Sequence, residues 1–485
     1  MNNKEIFEKT KKLLKKHNQG HLLAFWEQLN TSQRLNLLAQ IENLDFTEID
    51  GWVANYIRKP AAAGPRLVSS RRAVISGDLA PPPFYALNPF DPGLKRKQAQ
   101  ARALGLEIIS AGKMAAFVVA GGQGTRLGFA GPKGNFPISP VKNKTLFQIF
   151  AETIAATARK YQTICPWYIM TSPSNHAETT EIFRSNDYYG LNEKNVFIFP
   201  QGTLPSFDFY GKLLLADKDA LARSPDGHGG SLKALYKSGA LKDMERRGVE
   251  FISYFQVDNP LINIFDPLFI GLHALDEAEM SSKAVIKAEP KERVGNFGMV
   301  DGRVTIVEYS DLPDELAEKR NPNGSSVFQL GNIAIHIINR TFVEKLNAAG
   351  FILPLHRAIK EIPHIDPQGN FVEPDRPNGV KLESFVFDAL PLASKSIILE
   401  TPRSEEFAPV KNAEGVDSVE GAKEMITARG AAWLESADIA VPRKPDGSVD
   451  CLIEIAPDFA LEKDDIKTKL SKIPEIKPKD RVYLA

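Results

Sequence analysis

The chain has 485 residues, with 60 basic and 60 acidic side chains and no formal net charge. That length is too great for one core and predicts two or three domains, while 43% apolar and 25% charged residues are the proportions of an ordinary globular protein. The balanced charge removes bulk nucleic-acid binding and a polybasic membrane surface from the candidate functions, yet leaves room for a local phosphate site.

From Lys4 to about Ile57 apolar residues recur at helical spacing, and Asn30-Thr31-Ser32 stands as a cap before the stripe Gln33–Ile41. This predicts an all-helical N-terminal region whose role is packing. Pro60–Pro65 and Pro81-Pro82-Pro83 mark a surface linker. A helix over Lys95–Leu104 leads into Ala115–Ala120, a short, partly β-branched apolar run that reads as a buried strand. The strand ends in Gly121-Gly122-Gln123-Gly124-Thr125-Arg126-Leu127-Gly128, with Pro132-Lys133-Gly134 close behind. Such glycine density lets main-chain N–H groups approach a guest, and Arg126 and Lys133 add positive charge, so an anion carrying several phosphates is the expected ligand. The dinucleotide fingerprint wants glycine where Leu127 stands, and no Gly-Lys-Ser/Thr triplet of a P-loop occurs.

A helix from Thr145 to Lys160 and strands over Pro166–Ser172 and Asn195–Pro200 then give strand, helix, strand. That order implies a parallel sheet whose ligands lie beyond the carboxyl ends of the strands. Each polar cluster after a strand is therefore a candidate wall of one site. These clusters are Gln201-Gly202-Thr203, then Asp226-Gly227-His228-Gly229-Gly230 before a helix over Ser231–Tyr236, then Asp258-Asn259-Pro260 after the strand Phe251–Val257. A Gln amide offers a donor and an acceptor side by side. Asp258, an oxygen ligand beside a polyphosphate, suits Mg²⁺, which takes one or two carboxylates and fills its other sites with phosphate and water.

The run Gly121–Gly128 with Pro132-Lys133-Gly134 resembles the nucleotide loop of the uridylyltransferases that make UDP-sugars, above all the UDP-N-acetylglucosamine pyrophosphorylase family. Pro377-Asn378-Gly379 through Phe387-Asp388, Val257-Asp258-Asn259 and Glu405–Asn412 are similar to that family too. The resemblance spans nearly the whole chain. It implies an α/β fold with a nucleotidyltransferase (Rossmann-like, GT-A-like) mixed, mostly parallel sheet flanked by helices. Residues 1–110 would be a helical domain and linker, 111–402 the catalytic domain, and 403–485 a small C-terminal domain. It implies nucleotide contacts at Ala120, Gly121, Gly122, Gly124, Thr125, Gln201, Gly227, His228 and Asp258. Catalytic cations would be Arg126, Lys133 and Lys411, with Mg²⁺ on Asp258. Gly295, Glu308, Asn332, Phe385 and Phe387 would hold the sugar, the two phenylalanines lining an N-acetyl pocket.

The implied reaction joins UTP and N-acetylglucosamine 1-phosphate into UDP-N-acetylglucosamine and pyrophosphate. His228 departs from the family's usual Asn and matches the Gly-His-Gly turn of UDP-glucose enzymes, so glucose or galactose 1-phosphate remains an alternative. A non-catalytic nucleotide-sugar binding protein is the rival of another class.

The hairpin Met299–Val304 turns at Asp301-Gly302. A helix over Ser418–Ser436, short strands near Ser448–Ile455 and a lysine-rich stretch from Lys463 to Lys479, with few apolar anchors and expected to move or mediate assembly, complete the chain. Cys165 and Cys451 sit in apolar stretches as core residues. No apolar run reaches membrane-span length, and Met1–His17 lacks a signal-peptide core, so a cytoplasmic protein, monomeric or weakly self-associating and bound to neither nucleic acid nor membrane, is expected.

Overall fold

The computed structural model describes residues 3–58 and 79–485. Pro60–Pro65 of the expected linker lies outside these residues. The chain folds as two compact units, neither of them continuous in sequence: Met1–Asp78 with Gly202–Gly230 and Leu353–Val386, and the remainder. No helix among the described residues is long and apolar enough to cross a membrane.

In the first unit, helix α1 (Asn3–Lys16) and helix α2 (Thr31–Glu42) form as their capping and spacing require. Asn30 and Gln33 exchange side-chain and backbone hydrogen bonds as a capping box. The buried faces of these helices meet Phe207, Leu213, Leu215 and Leu221 from the second stretch and Val380 and Leu382 from the third. Buried Gln19 tightens the joint. Its amide donates to the Gly211 carbonyl (2.8 Å) and accepts from the Leu213 N–H (3.0 Å). Gln40 repeats the device at Asp219 and Leu221. The N-terminal helices thus hold in place the segment that carries Gly227 and His228.

The second unit is built on a nine-stranded sheet. Its strands are β1 (Met114–Val119), β2 (Trp167–Thr171), β3 (Val196–Pro200), β4 (Phe251–Gln256), β5 (Met280–Ile286), β6 (Gly295–Val300), β7 (Arg303–Val307), β8 (Leu330–Asn339) and β9 (Ile398–Glu400). The order is β7-β6-β8-β4-β1-β2-β3, with β5 pairing both β8 and β9. Strands β4, β1, β2 and β3 run parallel; β1 and β2 are buried on both faces, which is why they read as unbroken apolar runs, while β3 is a partly exposed edge strand. β8 joins them antiparallel and carries the β6–β7 hairpin, whose turn residues Asp301 and Gly302 both take positive φ.

Helix α3 (Pro92–Ser110), capped by Asp91, extends beyond the expected Lys95–Leu104. It crosses helix α4 (Pro267–Leu275) at two glycines. A Cβ on Gly271 would stand 1.6 Å from the Ala101 carbonyl oxygen, and one on Gly105 would stand 1.9 Å from that of Pro267.

Helix α5 (Val419–Glu435), capped by Ser418, packs with the chain's end in a separate cluster of Trp433, Leu434, Ile453, Phe459 and Leu484. The expectation of a loosely anchored lysine-rich stretch is corrected here. Ile466 and Ile476 are buried in that cluster, Lys160 pairs with Asp465, and a last strand, Arg481–Leu484, pairs parallel with Leu452–Ile455. Two well-placed isoleucines suffice where the composition suggested none would. Cys165 and Cys451 are both buried and reduced.

Candidate functional site

β1 delivers the glycine loop beyond its carboxyl end, where a parallel sheet leaves room for ligands. The Ala120 N–H still pairs with the Met170 carbonyl (2.7 Å), so the loop begins from fixed ground. It is closed on itself: the Gly124 N–H donates to Gly131 O (2.9 Å) and the Lys133 N–H to Gly122 O (3.0 Å). Gly128 and Gly131 adopt φ of 68° and 127°, conformations that a side chain disfavours. Fully buried Asn175 supports the loop from below, its amide donating to Ala120 O (3.1 Å) while its oxygen accepts from the Ser172 N–H (2.8 Å). Gln201, reached from β3, lies against Gly121: a Cβ there would stand 2.7 Å from the Gln201 Oε1. Thr125 and Arg126 are exposed on a single 3₁₀ turn.

Lys133, Arg126, Asp258 and Lys411 come together electrostatically. Burial pushes the Lys133 ammonium below its ordinary value; Asp258 opposes that shift, and Arg126 and Lys411 reinforce it. Lys133 Nζ also donates to the Val410 carbonyl (3.2 Å), and the Val410 N–H donates to the Asp258 carbonyl (2.8 Å). Asp258, just past β4, and Lys411 are thus one hydrogen-bonded step apart. Lys411 is engaged by Asp417 at 3.1 Å. Arg126, Lys133 and Lys411 against Asp258 and Asp417 leave one positive charge in excess, which suits a polyphosphate.

Among the described residues no group of three or more His, Cys, Asp or Glu side chains could hold a metal. A cation shared with substrate phosphates needs only one or two carboxylates, which is what half-buried Asp258 offers.

Gly295, Glu308 and Asn332 also cluster. Gly295 pairs with Asn332 in the β6–β8 register, and a Cβ on Gly295 would lie 3.7 Å from both the Asn332 Cβ and the Glu308 Oε1. An irregularity in the β5–β8 register puts Ala334 at φ 55°, and the Asn332 Oδ1 accepts its N–H (3.0 Å). That bulge turns a regular strand residue into one whose amide orientation is set locally. Phe387 is buried in the same unit, within a 3₁₀ stretch over Val386–Leu392.

Gly227, His228 and Phe385 belong to the first unit. Gly227 takes φ 83°, and a Cβ on it would stand 2.3 Å from the Ser384 carbonyl oxygen, so this turn admits only glycine. The His228 ring stacks on Phe385 (5.2 Å), and so does the His356 ring (4.2 Å). The Val386 N–H donates to His228 Nδ1 (3.2 Å), which places the imidazole proton of the neutral ring on Nε2. Phe385 is a buried residue that packs against two imidazoles. Sequence reading missed Asn175, Asp417 and His356. Asn175 sits in an ordinary Ser-Pro-Ser-Asn turn, and the other two carry no local motif; their roles exist only through partners elsewhere.

The chain matches a family model described as UTP–glucose-1-phosphate uridylyltransferase over residues 89–484. It is 36% identical to the human UDP-N-acetylhexosamine pyrophosphorylase-like protein 1, covering 92% of this chain and 91% of that one. It is 34% identical to UDP-N-acetylglucosamine pyrophosphorylase of Saccharomyces cerevisiae, over 89% and 92% of the two chains. The crystal structure of the uridine diphosphate N-acetylglucosamine pyrophosphorylase from Trypanosoma brucei, at 24% identity, superposes with a TM-score of 0.81 over 100% of this chain and 98% of that one, a likeness of fold. With the family match running through most of its length, the chain belongs to the UTP–glucose-1-phosphate uridylyltransferase family.

Proposed function

We propose that the protein is a uridylyltransferase that forms UDP-N-acetylglucosamine and pyrophosphate from UTP and N-acetylglucosamine 1-phosphate. The observation that carries this reading is the gathering of Arg126, Asp258 and Lys411 about half-buried Lys133, which donates to Val410 O while the Val410 N–H holds the Asp258 carbonyl. The sugar choice draws on the relatives above, which are named for acetylated sugars.

A phosphate oxygen of the sugar 1-phosphate attacks the α-phosphorus of UTP in line, and pyrophosphate leaves. The oxygen is already a competent nucleophile, so no general base is required, and catalysis is positioning and charge neutralisation. Gln201 reads the uracil edge and the amides of Gly121, Gly122, Gln123 and Thr125 face the phosphates, the Gly124 N–H being spent on Gly131 O. Arg126 and Lys133 hold the β- and γ-phosphates and the departing pyrophosphate. Lys411 exchanges Asp417 for the sugar phosphate. Glu308 and Asn332 accept and donate to sugar hydroxyls. Mg²⁺, held by Asp258, would supply further neutralisation of the phosphate oxygens.

Pyrophosphate release from UTP is measured against N-acetylglucosamine, glucose and galactose 1-phosphates. Preference for the acetylated sugar is expected. Preference for glucose would overturn the sugar assignment, and no release with any of the three would overturn the enzyme reading.

A further inference from the structure

The phosphate-facing segments rest on a buried cation that the reaction does not touch. Lys283, in the middle of β5, has no exposed side-chain surface. Its ammonium is bound by Asp266 (2.8 Å) and by Glu406, and lies over the Phe269 ring. Asp266 ends the segment that begins at Asp258, and Glu406 begins the segment that ends at Lys411.

The same two segments are stapled along their length. The Asn259 amide donates to the Glu406 carbonyl (2.6 Å) and accepts from the Ala408 N–H (3.1 Å). The Asn263 N–H donates to Glu406 Oε2 (3.2 Å), and the Val410 N–H donates to the Asp258 carbonyl (2.8 Å). Arg429 bridges their main chains from the other side, donating to Leu261 O (2.8 Å) and Glu405 O (3.2 Å).

We propose that Lys283 is a positioning residue for the uridylyl transfer: by tying Asp266 to Glu406 it fixes the register between the Asp258 and Lys411 segments. The inference rests on the roles given above to Asp258 and Lys411. Burial alone would lower the Lys283 ammonium and raise both acids. The two carboxylates outweigh burial at Lys283, whose value rises, and Lys283 outweighs it at Asp266, which falls. Glu406 stays raised, burial prevailing there over Lys283. Buried ionic groups of this kind add little net stability against apolar replacements of like size, so a role in registration is the better account of a fully enclosed lysine. Ala284, the next residue along β5, pairs with Asn332, so the strand that carries the anchor also faces the sugar cluster.

Two variants test this, each read by calorimetric binding of UDP-N-acetylglucosamine and of uridine, with thermal melting alongside. Lys283→Met removes both ties. Glu406→Leu removes the tie to the Lys411 segment together with the Asn263 N–H bond to Glu406 Oε2, keeps the Lys283–Asp266 pair, and decides the matter if the first variant does not fold. Both are expected to bind UDP-N-acetylglucosamine about tenfold more weakly, the worth of one charge-assisted contact to phosphate. Uridine, which meets Gly121 and Gln201 but no phosphate cation, should bind within about twofold of wild type on the same scale. General structural damage would weaken both ligands together and would overturn the proposal. So would wild-type UDP-N-acetylglucosamine affinity in folded Glu406→Leu. Lys411→Ala is run in parallel: if it too binds normally, the role of Lys411 itself fails, whereas loss in Lys411→Ala alone removes only the positioning role of Lys283.

Discussion

Gly121→Ala probes the contact between the glycine loop and the base-reading amide. The added methyl would stand 2.7 Å from Gln201 Oε1, with the Ser172 N at 3.3 Å behind it. Ordinary carbon–oxygen contact begins near ~3.4 Å, so the amide oxygen must retreat by roughly 0.7 Å. Gln201 is 9% exposed and its own N–H is held by Thr171 O at 2.8 Å, so the side chain has to move while its main chain stays. A shift of that size takes a hydrogen bond out of its working range. One or two bonds to the uracil edge at about 1 kcal/mol each correspond to roughly a 5- to 30-fold loss of uridine affinity. The control is Gly122→Ala, whose methyl meets nothing in the protein within 4 Å. It should leave uridine binding alone and weaken UTP, because only the phosphates approach the backbone there. Calorimetry with both ligands on both variants gives the answer. Uridine binding by Gly121→Ala at wild-type strength would refute the placing of Gln201 on the base.

Four other outcomes are expected. Lys133→Ala should lower kcat by about 10²-fold or more, since it removes a charge that develops its full value only in the transition state. Because the Lys133 ammonium is held below its ordinary value, it loses its proton earlier as pH rises; the alkaline limb of kcat/KM should therefore fall below that of a free lysine and move upward in Lys133→Arg, and an unmoved limb contradicts the assignment. His273, fully buried between Ser281 Oγ and Asn339 Oδ1, is lowered by burial to about 4. The unfolded chain takes its proton first, so its contribution to stability is present above about pH 6.5 and is lost as pH falls toward 4; about 2 kcal/mol should disappear between pH 7 and pH 5 in urea unfolding, and a drop of the same size in His273→Asn would contradict this. Gly271→Ala forces α3 and α4 apart at a main-chain contact and should cost about 3 kcal/mol in the same assay; a loss below about 0.5 kcal/mol would show that the helices part freely.

Much of the second unit was legible because its signals are local. The glycine loop, the helix starts at Thr145 and Ser418 and the Asp301-Gly302 turn each depend on neighbours within a few residues, and each forms as read; so does the cap at Asn30 in the first unit. The first unit was not legible as a unit. Gln19 and Gln40 look like ordinary helix residues until the segment from Gly202 to Gly230 arrives beside them, nearly two hundred positions later. The same holds for Lys283: a lysine in a strand reads as solvent-facing, and its burial becomes tolerable through Asp266 and through Glu406, which returns from more than a hundred residues on. His228 was recognisable as a departure from the acetylglucosamine pattern, yet its stacking on Phe385, and that of Phe385 on His356, depends on a third stretch of chain.

The central claim is that one pocket of main-chain amides, cations and Asp258 receives the triphosphate of UTP. A crystal structure with UTP and Mg²⁺ tests it most directly. The account predicts the β- and γ-phosphates between Arg126 and Lys133, with the metal on the Asp258 carboxylate. Triphosphate density away from Lys133, or Asp258 without metal while UTP is bound, would contradict it.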